Sequence, residues 1–343
     1  MKLLRILLVV VAVAIVGAAV AGYIVFLSPH SFGADAERTV FIRRGQPFAH
    51  IVDSLEQRGI IEDRTMFKIV AKVFGGAERV QAGKYRFVSG ISNMDVFLAL
   101  RDGNANQLVK VSIPEGSRPR LQAKLFARAI GIDSARYVAL AYDPELARDY
   151  DIEGASLEGY LLPETYMLRW GMDERDLIEM QIRAFRAFFT DSLKERARQL
   201  GWSVHQVVTF ASIVEGEARL DAERPVIAGV YHNRLRKGMK LEADPTIQYL
   251  FDERPRRVLY EDLRRNSPYN TYMYAGLPPG PVNNPGKASI LASLSPAGHS
   301  YIFFVATGKG GHWFASTYAE HVSNVKRYRQ ERARQWREQK GPA

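Results

Sequence analysis

SVHQVVTFASIVEGEA, residues 203–218, opens with Ser203 and Gln206 and then sets Val207, Phe210, Ala211, Val214 and Ala218 along one stripe at helical period. This spacing predicts an amphipathic helix that faces a core and carries Glu215 and Glu217 near its end. Two acids so close invite a paired-carboxylate reading. At 3.6 residues per turn, however, positions two apart point about 160 to 200° away from each other, so the two carboxylates flank the stripe and cannot converge on one reacting bond.

Their neighbourhoods also differ. Glu215 has Arg219 at i+4, an arrangement that predicts a helix ion pair and an ionised carboxylate. Glu217 has Phe210, Ile213 and Val214 on the preceding turns, which predicts a pKa raised by desolvation, and Asp221 at i+4 would push the same way. Glu217 is therefore the expected catalytic acid and Glu215 its supporting neighbour. Out of context, a solvated glutamate at a helix end is the plainer reading of Glu217.

Outward from this helix, residues 175–200 read as one amphipathic helix and 224–236 as another, closed by Gly238, while Asp244-Pro245 supplies an N-cap and first-turn proline for one more. Asn266–Gly286 has no period and holds five prolines, yet also Tyr269, Asn270, Tyr272 and Tyr274, which suits an ordered functional loop. A strand over 301–305, a glycine turn over 308–312 and a basic helix follow. Towards the N-terminus, Val109–Gly116 opens a strand-turn-helix unit. Before it, strands at 39–42 and 83–88 alternate with helices around Phe48–Leu55, Met66–Val73 and, after Ser92, Phe97–Leu100. A domain boundary is expected near Val109.

Ile6–Leu27 is a run of 22 uncharged residues, preceded by Lys2 and Arg5. It is long enough to span a bilayer core of roughly 30 Å, and the basic flank predicts a cytoplasmic N-terminus with everything after about Pro29 outside. Ala19-Val20-Ala21 offers a signal-peptidase pattern, but the apolar run continues past it, which favours a retained anchor. A chain 47% hydrophobic and 24% charged, with a net charge of +10, is a folded protein rather than a disordered one. For an exported chain the basic excess points to anionic lipid or wall polymer, not to nucleic acid. Lys326, Arg327, Arg329, Arg332, Arg334, Arg337 and Lys340 crowd a tail, 326–343, that reads as a solvated helix end. Without cysteine there is no disulfide, thiolate metal site or cysteine nucleophile.

Several unrelated motifs occur in one order: Ala211-Ser212-Ile213-Val214-Glu215-Gly216-Glu217-Ala218, Asn233-Arg234-Leu235, Asp244-Pro245-Thr246, Ser267-Pro268-Tyr269-Asn270-Thr271-Tyr272, Gly276-Leu277-Pro278-Pro279-Gly280-Pro281, Asn284-Pro285-Gly286 and Gly308-Lys309-Gly310-Gly311-His312. In this the chain resembles the YceG-like (MltG) family of endolytic murein transglycosylases. Ile113–Gly116 and Glu158–Tyr166 also resemble family positions. The resemblance implies an α+β protein: a transmembrane anchor (1–30), a small LysM-like domain (31–107), a larger, mainly helical, lysozyme-like catalytic domain with some strands (108–325), and the basic tail.

The resemblance also places the catalytic glutamate on Glu217, in agreement with the helix geometry. It implies cleavage of the β-1,4 bond between N-acetylmuramic acid and N-acetylglucosamine, leaving 1,6-anhydro ends, with no metal or cofactor. Asn233, Gln248, Tyr269, Asn270 and Tyr272 are then candidates to hold acetamido groups and stack on sugar faces. The expected partners are peptidoglycan strands, the inner membrane and a peptidoglycan synthase, with the catalytic domain periplasmic. A hydrolytic muramidase and a non-catalytic wall-binding scaffold remain as alternatives.

Overall fold

The computed structural model describes residues 2–33, 35–104, 107–251 and 256–340; residues 341–343 of the basic tail lie outside them. The chain divides into two compact units, one of Met1–Val111, Phe126–Ile132 and Tyr166–Asp173, the other of Ser112–Leu125, Asp133–Thr165 and Glu174–Ala343. Both mix helix and strand, with helix prevailing, as expected from the sequence.

In the first unit, α1 (Lys2–Gly22) continues as a π-helical turn, Tyr23–Leu27, giving an apolar helix of 26 residues that is long enough to cross a membrane and has no buried residue in its most apolar window. There follow β1 (Pro29–His30), β2 (Glu37–Ile42), α2 (Phe48–Gln57), α3 (Arg64–Val73), β3 (Gly83–Val88), β4 (Ile91–Ser92), α4 (Asn93–Asp102) and all but the last residue of β5 (Leu108–Ser112). β2 and β3 pair antiparallel, with Glu37 opposite Val88 and Ile42 opposite Gly83. Strand alternation turns Val40, Ile42, Tyr85 and Phe87 to one face, and Ile51, Leu55, Phe67, Val70 and Phe97 from the three helices cover it. Asp63 caps α3 by accepting from the Thr65 and Met66 amides at 2.7 and 2.8 Å, a contact of about 1 kcal/mol.

The apolar helix is built into this core at its far end. Phe26 meets Phe74 edge-on at 6.0 Å, and Asn93 Nδ2 donates to the Val25 carbonyl at 3.0 Å while its Oδ1 bonds His30 Nε2 at 2.9 Å. Carbonyls in a last helical turn lack a partner within the helix, and Asn93 supplies one.

The second unit holds most of α5 (Pro119–Ile130), then α6 (Ser134–Ala141), α7 (Pro144–Asp149), the first residue of β6 (Thr165–Arg169), α8 (Glu174–Phe188), α9 (Asp191–Gln199), α10 (Val204–Glu217), α11 (Arg224–Arg236), α12 (Asp244–Gln248), α13 (Lys287–Leu294), β7 (Phe303–Ala306), β8 (His312–Ala315) and α14 (Tyr318–Lys340). α10 is the central helix: every residue from Val207 to Val214 is buried. Ser203 and Gln206 complete a reciprocal capping box at its start.

Four expectations are corrected. Residues 175–200 form two helices, because Thr190 adopts an extended conformation (ψ 170°) behind the buried Phe189 and starts α9 afresh. Asp244 does not cap α12; the cap position is Ala243, and Asp244 is the first helical residue. His312 belongs to a strand, β8, that pairs with β7 and was read only as the end of a turn. Arg219 has no helical i+4 relation to Glu215, since α10 ends at Glu217 and Ala218 is extended (ψ 125°).

Candidate active site

Glu215 and Glu217 leave α10 on different sides. Glu215, whose side chain is 6% exposed, pairs with Arg224 at 3.1 Å and accepts from the Gly286 amide at 3.0 Å and Ser289 Oγ at 2.8 Å. Arg224, 7% exposed, also reaches Asp221 at 3.0 Å and Glu115 at 3.4 Å. Glu215 thus fastens α10 to the start of α11 and of α13. Gly286 leaves room for Glu115, since a Cβ there would lie 2.0 Å from its carboxylate oxygen and push that side chain aside.

Glu217 is half-buried and reachable from solvent. Tyr231, on α11, donates its hydroxyl to Glu217 Oε1 at 2.8 Å, and the Asp244 backbone N–H also donates to the carboxylate. Burial pushes the Glu217 carboxyl up from 4.5 to about 7. The Tyr231 hydrogen bond pulls it down, the Asp244 carboxylate pushes it up, and Arg234 bears on it weakly from the other sign. The like charge beside Glu217 is therefore Asp244 and not Asp221, which is held by Arg224. Gly216 lets this meeting happen: a Cβ there would lie 2.6 Å from Pro245 Cβ and Cγ, forcing the start of α12 away from α10.

Among the loop tyrosines, Tyr272 enters the site and donates to Asp244 Oδ1 at 2.6 Å. Tyr269 packs on Tyr249 at 4.6 Å, and Tyr274 donates to Asn266. Asn270 is fully buried, donates to the Leu263 and Arg265 carbonyls and accepts from the Tyr272 amide, so its amide shapes the loop and does not face a ligand. Asn233 likewise donates to the His299 and Tyr301 carbonyls at 2.9 Å and accepts from Arg236, which removes it from the expected substrate contacts. The half-buried amide of Gln248 makes no hydrogen bond among the described residues. Along α10, Trp202, Gln206, Thr209, Leu235, Leu277 and Pro278 line a depression of about 390 Å³.

Sequence reasoning missed Tyr231 and the acidic role of Asp244. The usable signal for Tyr231 was a tyrosine within the apolar face of α11, one turn after Ile227. Tyr231→Phe removes the donor to the ionised form of Glu217, so the carboxyl midpoint is expected to rise above about 7. A ¹³C NMR titration of Glu217 checks this, and an unmoved midpoint would reduce Tyr231 to packing.

A carboxyl poised near neutrality, reachable from solvent and hydrogen-bonded by a phenol, is chemically suited to giving and taking protons. By comparison with known proteins, this chain belongs to the YceG-like family, whose model matches residues 40–327. The endolytic murein transglycosylase of Bacillus subtilis strain 168 is 30% identical over 311 residues, covering 86% of each chain. Its Streptococcus pneumoniae R6 namesake is 27% identical over 321 residues, covering 84% of this chain, which spans 57% of that protein's length. A crystal structure of a YceG-like protein from Listeria monocytogenes superposes with a TM-score of 0.60 at 29% identity, covering 84% of this chain and 98% of that one.

Proposed function

We propose that this chain is a peptidoglycan lytic transglycosylase in which Glu217 serves as both acid and base. The observation that carries the reading is the Glu217 carboxyl, raised to about 7 at a solvent-reachable position, in a chain of the YceG-like family. A carboxyl so raised keeps its proton in about half of the molecules at pH 7 and can give it to the oxygen leaving C1 of N-acetylmuramic acid. The substrate's acetamido oxygen then closes on C1. Glu217, now ionised, takes the proton of the C6 hydroxyl, O6 displaces the acetamido oxygen, and a 1,6-anhydro end forms without water.

A polymer substrate fits the layout of α10. Gln206, at the 390 Å³ depression, and Glu217 are separated by a helical rise of about 16 Å, which one glycan strand spans. Gln248, Tyr269 and Tyr272 remain the candidate sugar contacts. Lys2 and Arg5 before the apolar helix favour a cytoplasmic N-terminus, an inner-membrane anchor and a periplasmic catalytic unit. From there cleavage would terminate strands as a synthase extends them, with the small unit, read as LysM-like, holding glycan.

Mass spectrometry of products from purified glycan strands tests the reading. The expected products carry 1,6-anhydro-N-acetylmuramic acid ends and vanish with Glu217→Gln. Reducing ends would instead indicate a hydrolytic muramidase. Unchanged strands, with cellular function kept by Glu217→Gln, would indicate a scaffold.

A further inference from the structure

Asp244 was expected only to cap a helix, yet its carboxylate is exposed beside Glu217 and is positioned from several directions. Tyr272 donates to one of its oxygens at 2.6 Å, leaving the other oxygen unpaired within the protein among the described residues. The adjoining backbone is fixed by buried threonines. Thr271 Oγ1 accepts from the Ala243 amide at 3.0 Å and bonds Thr246 Oγ1 at 2.8 Å, while the Thr271 carbonyl accepts from the Glu242 amide at 3.1 Å. Thr271 and Thr246 are 2% and 0% exposed. The residue after Thr271 is Tyr272 and the residue after Ala243 is Asp244, so this ladder brings phenol and carboxylate together. Beyond α12, Arg118 donates to the Tyr249 carbonyl at 3.3 Å and Tyr249 donates its hydroxyl to buried Glu158 at 3.0 Å. The short helix is thus tied at both ends, and preorganised charge is the kind that lowers a barrier.

We propose that Asp244 is a second catalytic residue: its free carboxylate oxygen accepts the acetamido N–H of the sugar whose C1 reacts, and steadies the oxazolinium formed when the acetamido oxygen bonds C1. The inference rests on the lytic reading above. As Glu217 passes its proton to O4 of the departing N-acetylglucosamine, the C1–O4 bond breaks and the acetamido oxygen–C1 bond forms. The positive charge then lies on the C–N unit whose N–H points at Asp244. When O6 attacks C1, the C6 hydroxyl proton goes to Glu217, the acetamido oxygen leaves C1 and the amide is neutral again. Asp244 neither gains nor loses a proton. Tyr272 is a positioning residue that orients Asp244 through the hydrogen bond to its other oxygen.

Binding separates this role from a structural one. The probes are a muramoyl thiazoline, which mimics the bicyclic oxazolinium, and an uncleaved glycan strand bound to proteins that also carry Glu217→Gln. Asp244→Asn is expected to weaken thiazoline binding by about 10²-fold, strand binding by less than threefold, and kcat on N-acetylated strands in the Glu217 protein by about 10²-fold. Tyr272→Phe, which keeps the ring, is expected to show the same selective loss at smaller size and serves if Asp244→Asn fails to fold. Equal weakening of both probes would make the segment structural and overturn the proposal. So would unaltered thiazoline binding, or a wild-type protein that forms anhydro ends yet does not bind the thiazoline. Failure to form anhydro ends at all would sink the lytic reading itself, a separate result.

Discussion

Glu217→Gln is expected to lower the rate of strand cleavage by about 10³-fold or more, because one group performs both proton transfers and an amide performs neither. In the wild type, activity should be level below pH 7 and fall about tenfold per pH unit above it, since the first step needs the protonated acid. The same substitution is expected to stabilise the fold. The folded chain holds the Glu217 proton up to about 7, while the unfolded chain releases it near 4.5. Because the folded pKa is the higher, the stability this group contributes is complete below 4.5 and is lost as pH rises through 7. At pH 8 the ionised carboxylate therefore costs the fold up to about 3 kcal/mol, which glutamine does not. Urea unfolding should find Glu217→Gln more stable than wild type at pH 8 and equal to it at pH 4. A variant equally inactive but less stable at pH 8 would show that Glu217 is held for structure.

Arg224→Met is expected to destabilise the second unit by about 3–5 kcal/mol. The guanidinium stands between Glu215, Glu115 and Asp221 and also donates to Ser289 at 2.5 Å, so its loss strands at least Glu215, a carboxylate only 6% exposed, without a countercharge. A buried ion pair gives little net stability against an apolar pair of similar volume, but breaking one side of it is costly. The double exchange Glu215→Met with Arg224→Met should therefore recover part of the loss. Urea midpoints of the single and double variants measure this. A double variant no better than the single one would place the damage in packing around α13 rather than in the stranded charge.

Periodicity made the central helix legible: α10 runs from Val204 to Glu217, with Ser203 and Gln206 capping it. It also separated Glu215 from Glu217, because the direction of a helical side chain follows from residue number. What surrounds each acid did not follow. Tyr231, Asp244 and Tyr272 reach Glu217 and one another from separate segments, and Arg224 replaces Arg219 at Glu215 because the helix stops at Glu217. The loop 266–286 was legible as ordered but not residue by residue. Asn270 and Asn233 have amides suited to sugars, yet buried backbone carbonyls claim them first.

The grip of Asn93 on the Val25 carbonyl, with Phe26 set against Phe74, fastens the end of the apolar helix to the small unit. Once that helix lies in a bilayer, its tilt is also the tilt of the unit. In a thicker or thinner membrane, answered by the helix leaning less or more, the unit would lean with it. A few flexible residues inserted after Leu27 would disconnect the two.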